Sequence, residues 1–393
     1  MGQANGGSDG PSLSADGRYV AFSSAASNLV SGDTNSARDI FVRDRKLHKT
    51  YRVSVSTTGV QANGDSDLPS ISADGRYVAF VSIASNLVPN DTNGLSDIFV
   101  RDRTLHTTTR VSTGALGQSD GASYDPSISS DGRYIAFDSG ADNLVSGDTN
   151  TSSDVFVRDR VLHKTFRSSI STAGVQGNGG SIDPSISADG RYVAFDSGAT
   201  TLVAGDTNGA EDIFVRDRTL HTTTRVSAGA LGQSDGASYD PSISSDGRYV
   251  AFASSADNLV SGDTNTHEDV FVRDRTLHKT FRSSISSAGL QADADCFGAS
   301  ISGGGRFVIF TSAALNLVPP GTNGFDDVFV RDRTLHKTLL ASVGPNGVQE
   351  DAGSGAGVVS SGGRYVGFWS DADNLVSSDT NGVADVFARG PYD

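Results

Sequence analysis

Glutamate, cysteine and methionine are nearly missing from this chain of 393 residues. Three of the 46 acidic residues are Glu, so the acidity comes from Asp, which favours turns and loops over helices. The one Cys, Cys296, excludes an internal disulfide and a thiolate metal cluster. No apolar run reaches the length of about 18 residues that a membrane span needs, and no signal peptide is visible. We therefore expect a turn-rich β protein without membrane insertion.

Basic residues are too few to balance the acids. The formal net charge is −15 and the isoelectric point is about 4.8. Such a surface repels nucleic acids and anionic membranes and attracts cations, so we expect neither nucleic acid nor membrane as a partner.

One unit of about 58 residues is repeated seven times along the chain. Its marker is Asp-Gly-Arg, which decays to Gly-Gly-Arg in the last two units; the turns begin at Asp16, Asp74, Asp131, Asp189, Asp246, Gly304 and Gly362. The units nearly fill the chain, so we expect residues 1–393 to form one domain. Two segments two units apart, 119–171 and 234–286, differ at only six positions: 135, 138, 140, 152, 153 and 161.

Each unit reads as four short strands. An Asp-Gly turn between apolar runs predicts a hairpin, as around Asp16, and two further runs follow at Asp39 and Thr50. The second and third strands are apolar on both faces, which indicates that both faces are covered. The first strand is small and Ser-rich, as expected at a crowded axis. The pattern predicts an all-β, seven-bladed β-propeller, and a β-solenoid is the alternative.

The segment Pro69–Ser82, followed by Asp-Ile-Phe-Val-Arg-Asp, resembles the TolB-type, WD-like propeller repeat over essentially the whole chain. The resemblance implies the propeller fold. It implies little about function, because similar repeats occur in binding proteins and in peptidase propeller domains.

The outer strand of the last blade is absent from both ends of the sequence. Fourth strands begin near Thr50, Thr107, Thr165, Thr222, Thr280 and Thr338, whereas no such segment follows the third strand of unit seven. The start, Gln3-Ala-Asn-Gly, matches the loop after a fourth strand at Gln61. Either the sequence begins just past this outer strand, or the last blade has three strands and an exposed edge, which could pair with another chain.

An acidic loop, Asp-Thr-Asn-x-x-x-Asp, precedes the third strand in six units. Its oxygen-bearing residues are Asp33, Asn35, Asp39, Asp91, Asn93, Asp97, Asp148, Asn150, Asp154, Asp206, Asn208, Asp212, Asp263, Asn265, Asp269, Asp379, Asn381 and Asp385. Carboxylate, amide and carbonyl oxygens are the ligands of Ca²⁺, so each loop is a candidate calcium site of weak, extracellular-type affinity. The alternative is a set of Asx-turns that need no metal.

Few other residues point to chemistry. No Gly-x-Ser-x-Gly or His-Glu-x-x-His motif is present, and we expect no enzymatic activity. Tyr124-Asp125 and Tyr239-Asp240 precede innermost strands, where a channel mouth could hold a sugar or a peptide amine. We expect a non-catalytic, calcium-stabilised binding or scaffold propeller in an extracytoplasmic location, its protein or glycan ligand unnamed. The alternatives are self-association through the open edge of blade seven, and a glycan- or peptide-active enzyme at the channel mouth.

Overall fold

The computed structural model describes residues 3–230 and 232–392, and in this part seven antiparallel sheets surround one axis. Blade 1 consists of β1 (Ser8–Leu13), β2 (Tyr19–Ser24), β3 (Asp39–Asp44) and β4 (Lys49–Arg52). Blade 2 consists of β5 (Ser66–Ile71), β6 (Tyr77–Ser82), β7 (Asp97–Asp102) and β8 (Thr107–Arg110), followed by a small hairpin of β9 (Thr113–Gly114) and β10 (Gly117–Gln118). Blade 3 consists of β11 (Ser123–Ile128), β12 (Tyr134–Ser139), β13 (Asp154–Asp159) and β14 (Lys164–Arg167).

Blade 4 consists of β15 (Ser181–Ile186), β16 (Tyr192–Ser197), β17 (Asp212–Asp217) and β18 (Thr222–Arg225), followed by a hairpin of β19 (Ala228–Gly229) and β20 (Gly232–Gln233). Blade 5 consists of β21 (Ser238–Ile243), β22 (Tyr249–Ser254), β23 (Asp269–Asp274) and β24 (Lys279–Arg282). Blade 6 consists of β25 (Cys296–Ile301), β26 (Phe307–Ser312), β27 (Asp327–Asp332) and β28 (Lys337–Leu340), followed by a 3₁₀ turn at Pro345–Gly347. Blade 7 consists of β29 (Ser354–Val359), β30 (Val366–Ser370) and β31 (Asp385–Arg389).

The predicted fold class is confirmed, including the three-stranded last blade. Within each blade the strands pair in chain order, and the predicted hairpin joins the first two, with Leu13 opposite Val20 in blade 1. In the described part of the chain, no helix is long or apolar enough to cross a membrane.

The Asp-Gly-Arg turn holds adjacent blades together. In blade 2, Asp74 Oδ1 accepts hydrogen bonds from Ser72 Oγ and from the amide of Arg76, which closes the turn. Gly75 has a φ of +74°, and a Cβ there would lie 2.2 Å from the ring of Tyr19 in the preceding blade. Position 75 needs a positive φ and has no space for a Cβ, and only glycine tolerates both.

The core lies between blades. Ile40 and Val42 of blade 1 pack with Val78 and Phe80 of blade 2, and all four side chains are fully buried. This explains the second and third strands that are apolar on both faces, because each sheet is covered by a neighbour on either side. Burying one such side chain contributes about 1.5–3 kcal/mol.

Serine and backbone groups form the inner wall of the channel. The Oγ of Ser12 accepts a hydrogen bond from the amide of Ile71 in the next blade, and this bond recurs around the axis. Seven backbone bonds also run from blade to blade, beginning with Ala15 N to Ala73 O at 2.9 Å and ending with Gly362 N to Ala15 O at 3.1 Å. The first strand is therefore Ser-rich because it lines the axis.

The ring closes between blades 7 and 1 without a shared sheet. The amide of Ser8 donates to the carbonyl of Ala384 at 2.8 Å, as the amide of Ser66 does to Arg38 between blades 1 and 2. The Gln3 side chain donates to the carbonyl of Ser378 and to Asp379 Oδ1. The N-terminal residues thus take the place that Gln61 and its neighbours occupy after blade 1.

Candidate functional site

In five of the six acidic loops, an arginine lies between the two aspartates. In blade 1, Arg52 Nη1 lies 2.9 Å from Asp33 Oδ1 and 3.2 Å from Asp39 Oδ2. The equivalent arginines are Arg110, Arg167, Arg225 and Arg282, each from the fourth strand of its own blade. The aspartates are almost fully buried, so each arginine neutralises charge that water does not reach.

The asparagine of the loop makes the contacts of a turn. Asn35 Oδ1 accepts from the amide of Ala37, and its Nδ2 donates to Asp39 Oδ2 and to the carbonyl of Ala62. These bonds match the Asx-turn alternative and tie the loop to the connection that leads into the next blade.

Blades 6 and 7 depart from this arrangement in different ways. In blade 6 the first aspartate and the arginine are both replaced, by Gly321 and Leu340, and Asp327 is instead paired with Glu350. Burial and this neighbour raise the pKa of Glu350 to about 9, so the pair holds a proton where other blades hold a guanidinium. Blade 7 keeps both acids, Asp379 and Asp385, and within the described residues its sheet has three strands and no equivalent of the arginine.

The residues of the five arginine-bridged loops do not fit a calcium ion as they stand. A guanidinium already occupies the position between the carboxylates that a cation would take. The loop of Asp379, Asn381 and Asp385 is the one complete loop among the described residues without such a bridge. Calcium at these loops stays a prediction.

A second acidic cluster lies at one mouth of the axial channel. A cavity of about 400 Å³ there is lined by Asp125, Asp183 and Asp240 of blades 3, 4 and 5. Each sits at an irregularity in its first strand, with φ between 48° and 53°, and is followed by a proline. Blades 1, 2, 6 and 7 have Gly10, Leu68, Gly298 and Ala356 at this position. The mouth is therefore asymmetric although the backbone repeats.

Two buried carboxyls lie directly behind this rim. Asp138 and Asp196, on the second strands of blades 3 and 4, are 4% and 2% exposed. Their backbones pair with Tyr124 and Ile182, the residues that precede Asp125 and Asp183. The Oδ1 atom of each has no hydrogen-bond partner among the described residues. A buried polar atom without a partner is costly, so it is a marker of a ligand or of a held proton.

Burial raises the pKa values of the carboxyls in this cluster by different amounts. Burial raises the pKa of Asp138 to about 8, and the charges of Asp125 and Asp183 add to the effect. Burial likewise raises the pKa of Asp196 to about 8, with Asp183 and Glu211 nearby. Burial raises the pKa of Asp183 less, to about 6, with the Asp125 charge contributing. Neighbouring carboxyls with different proton affinities are characteristic of acid–base sites.

Glu268 extends the cluster on blade 5. Tyr239 donates its hydroxyl hydrogen bond to Glu268 Oε2 at 3.3 Å, and Glu268 Oε1 is buried without a partner among the described residues. Burial raises the pKa of Glu268 to about 7. On blade 1 the same position holds Arg38, which pairs with Asp9 and with Asp67 Oδ2, the latter at 3.0 Å. One side of the mouth is thus charge-paired and the other is acidic.

Divergence between the two nearly identical segments concentrates at this mouth. Of their six differences, positions 138 and 153 lie in the cluster itself, where the partner unit has Ala253 and Glu268. Position 140 is next to 153, since a Cβ at Gly140 would approach Ser153 Oγ to 4.0 Å. Position 152 is adjacent to 153 in sequence. Four of six differences therefore fall around one surface.

The structure thus brings Asp125 and Asp240, which the sequence singled out, to one rim and adds Asp138, Asp183, Asp196 and Glu268, which it did not. For Asp138 and Glu268 the signal was available in the six differences between the duplicated segments, whereas Asp183 and Asp196 lie outside both segments. Among the described residues, no three His, Cys, Asp or Glu side chains are arranged to hold a metal ion. Cys296 is free and fully buried, as expected for a small core residue.

Comparisons with known proteins support the fold but do not assign the chain to a family. No protein-family model and no curated protein matches the chain. Among solved structures, an oligogalacturonate lyase in complex with manganese is similar with a TM-score of 0.61 and 11% identity, over 99% of this chain and 91% of that chain. The β-propeller domain of the Trilobed protease from Pyrococcus furiosus, described as having an open velcro topology, has a TM-score of 0.58 and 12% identity, over 98% and 94%. TolB from Acinetobacter baumannii has a TM-score of 0.44 and 15% identity, over 77% of this chain and 59% of that one.

These likenesses correct one prediction. The sequence predicted a non-catalytic binding or scaffold protein, and this prediction is contradicted, because the similar structures include an oligogalacturonate lyase and the propeller domain of a protease. The shared fold favours neither a catalytic nor a non-catalytic role. Of the predicted resemblance to TolB-type propellers, the β-propeller fold is confirmed by the seven blades, and no family model matches the chain. The chain is a seven-bladed β-propeller of the architecture that these proteins share.

Proposed function

We propose that the protein acts through the acidic channel mouth of blades 3 to 5, which binds a ligand by its ammonium or guanidinium group. The observation that carries this proposal is the pair of buried, unpartnered oxygens on Asp138 and Asp196 behind the rim of Asp125 and Asp183. A cation that donates hydrogen bonds would satisfy these oxygens and replace the protons on Asp138 and Asp196, whose pKa values burial raises to about 8.

The residues next to the rim favour an organic cation. Tyr124 and Tyr239 directly precede the rim residues Asp125 and Asp240 in sequence, and Tyr124 is 44% exposed. Such surroundings suit an ammonium or guanidinium through combined charge and cation–π attraction. A polyanion such as oligogalacturonate would be repelled, so the substrate of that structural neighbour is not transferred to this chain. A peptide amine fits the mouth best.

Binding should release protons, which gives a direct test. Isothermal titration of tetralysine into the protein at pH 7, in buffers of different ionisation enthalpy, measures both affinity and proton release. We expect Asp138→Ala, the residue that blade 5 carries naturally at Ala253, to weaken binding by about tenfold and to reduce proton release. The matched control is Asp142→Ser, which removes an exposed charge at a position where blades 1 and 2 carry serine. Equal affinities in the two variants, or no binding at low salt, would overturn the proposal.

Acid–base catalysis on the bound ligand is a second candidate function. The observation that favours it is the contact between Asp125, Asp138 and Asp183, whose unequal proton affinities allow one carboxyl to donate a proton while another accepts one. Mass spectrometry of lysine-containing peptides and amino-sugar oligomers after incubation would detect cleavage. Turnover that survives Asp138→Asn unchanged would exclude this role for the cluster.

A further inference from the structure

The two ends of the propeller differ in charge. Strand pairing places Tyr19, Asp44 and Lys49 at one end of blade 1, which we call the base, and Ser24 and Asp39 at the other end. The acidic loop precedes Asp39 in the chain, and the rim of the channel mouth lies near the beginning of the first strands, so both belong to the end opposite the base. The turns that join third and fourth strands, which we call the base turns, lie at the base.

The base turns are basic in a chain that is acidic overall. They hold 12 Arg and five Lys against six Asp, a net charge of +11, over residues 43–49, 101–107, 158–164, 216–222, 273–279 and 331–337. Because the whole chain has a net charge of −15, the remainder carries −26. The Asp-Gly-Arg turns at the same end are neutral in blades 1 to 5, with one acid and one base each. The net charge of the chain therefore describes neither end.

Within each base turn the acid is buried and the lysines are exposed. The Asp44 side chain is 2% exposed and accepts hydrogen bonds from Arg18 Nε and Nη2 and from the amide of Leu47. The bonds from Arg18 lower the pKa of Asp44 to about 2. All the lysines of the chain belong to base turns and are exposed: Lys46, Lys49, Lys164, Lys279 and Lys337. The charge that the base turns present to solvent is therefore positive.

A leucine lies at the tip of each base turn. The six side chains are 54% to 64% exposed: Leu47, Leu105, Leu162, Leu220, Leu277 and Leu335. Polar residues and glycine dominate ordinary turns, so an aliphatic side chain at all six tips is unexpected for turns that meet only water. The repeat distributes these tips around one end of the ring. Aliphatic groups beside exposed cations mark an interaction surface.

We propose that the base binds the surface of an anionic lipid bilayer. The leucines enter the boundary between headgroups and acyl chains, and the lysines contact the negative groups of the lipids. Six similar tips around a ring suit a partner that is flat and laterally uniform. A nucleic acid offers phosphates to the lysines but leaves the leucines in water. The acidic end of a second copy is a concave, asymmetric mouth that six equivalent tips do not match.

This proposal refines an expectation from the sequence. The argument against an anionic membrane as a partner used the net charge of the whole chain, whereas surface charges act over about one Debye length, about 8–10 Å. A bilayer at the base therefore meets the +11 of the base turns first. The acidic end is repelled by the same surface and faces away from it, which leaves the channel mouth open to solvent.

Sedimentation with vesicles tests the proposal on the full chain. We expect binding to vesicles of equal parts phosphatidylcholine and phosphatidylserine, no binding to phosphatidylcholine alone, and release at about 0.5 M NaCl. Replacing Lys46 and Lys49 by glutamine should weaken binding about fivefold for each lysine removed.

A second variant separates the apolar contribution from the charge. The base turns of blades 2 and 4 contain no lysine, so Leu105→Ser combined with Leu220→Ser should weaken binding about tenfold without changing its salt dependence. The matched control is Leu116→Ser, which changes an 85% exposed leucine in the hairpin of β9 and β10 at the opposite end and should bind normally. Melting temperatures show that each variant is folded.

A fluorescent label reports which end meets the membrane. Cys296 is the only cysteine and is buried, so a cysteine introduced at an exposed position is labelled selectively. An environment-sensitive fluorophore on Thr104→Cys, next to Leu105, should brighten when mixed vesicles are added. The same fluorophore on Ala115→Cys, next to Leu116, should not change.

Three results would overturn the proposal. The first is no binding to the mixed vesicles at low salt. The second is binding that the double leucine variant leaves unchanged, because charge alone would then explain it and any polyanion would serve. The third is an oligomer in light scattering without lipid that the double leucine variant disperses, because the base would then serve a second copy. None of these results bears on the channel mouth, which lies at the other end.

Discussion

Replacement of Asp138 by asparagine should stabilise the protein increasingly as pH rises. Burial raises the pKa of Asp138 from its ordinary value of 3.8 to about 8. A group whose folded-state pKa is raised contributes its stability fully below the unfolded pKa, and that stability is lost as pH rises through the folded pKa. Asparagine has the shape of the protonated acid and does not titrate, so the variant escapes this loss.

The magnitude follows from the pH range. Between pH 5 and pH 8 the free energy of unfolding of the wild-type protein falls by about 1.36 kcal/mol per pH unit because of this site. Over about three pH units the loss is about 4 kcal/mol. With an unfolding entropy of about 2.1 cal/mol/K per residue, a chain of 393 residues converts this to about 5 °C.

The assay is differential scanning calorimetry of wild type and variant at pH 5 and pH 8. We expect the difference in melting temperature to grow by about 5 °C between the two pH values. Asp142→Asn, which changes an exposed carboxylate of the same blade, should show no such growth. A difference that stays constant with pH, or that grows equally in the control, would refute the argument that Asp138 is held protonated.

Three further predictions concern the acidic loops. Arg167→Leu should leave Asp148 and Asp154 buried without a counter-charge and lower the free energy of unfolding by about 3 kcal/mol. The additional change Asp148→Gly reproduces the natural combination of Gly321 and Leu340 in blade 6 and should restore part of that stability in thermal melts. A further, additive loss of stability would contradict the bridging role of Arg167. Millimolar calcium should raise the melting temperature, relative to EDTA and to a Mg²⁺ control, by binding at the unbridged loop of blade 7. The rise should vanish in Asp379→Asn and persist in Asp33→Asn. A rise lost equally in both variants would contradict this assignment. Glu350→Gln should stabilise the protein more at pH 9 than at pH 6, because burial raises the pKa of Glu350 to about 9; an equal effect at both pH values in calorimetry would show that the carboxyl is ionised in the fold.

The sequence was sufficient for the fold because its signals are local. An Asp-Gly turn, a run such as Tyr19–Phe22 and a fixed period each report on residues close in the chain. The acidic loop was also visible, but its partner was not. Arg52 lies 19 positions after Asp33 in a segment that reads as an ordinary strand, and only the pairing of β3 with β4 brings them together.

The channel mouth was harder to predict for a geometric reason. Asp138, Asp183 and Glu268 belong to three different blades, and none of them is part of a recognisable motif within its own repeat. They become neighbours only when the ring closes. The pKa of Asp138 is raised by burial and also by the charge of Asp183, which belongs to the next blade, so a pattern within one unit could not reveal the full effect.

The narrow part of the axial channel has a kinetic consequence. Further along the axis, a cavity of about 150 Å³ is lined by Leu13, Ile71, Ile128, Ile186, Ile243, Ile301 and Val359 together with Ala73, Ser130, Ala188, Ser245, Gly303 and Ser361. A cavity of this size holds only a few water molecules, so a charged group would have to shed much of its water to pass, at a cost of several kcal/mol. Passage of a cation through the channel is therefore unfavourable, and a ligand bound at the rim should dissociate through the same opening by which it entered. A ligand and any product derived from it would then share one opening, and dissociation from the mouth would limit the rate of exchange.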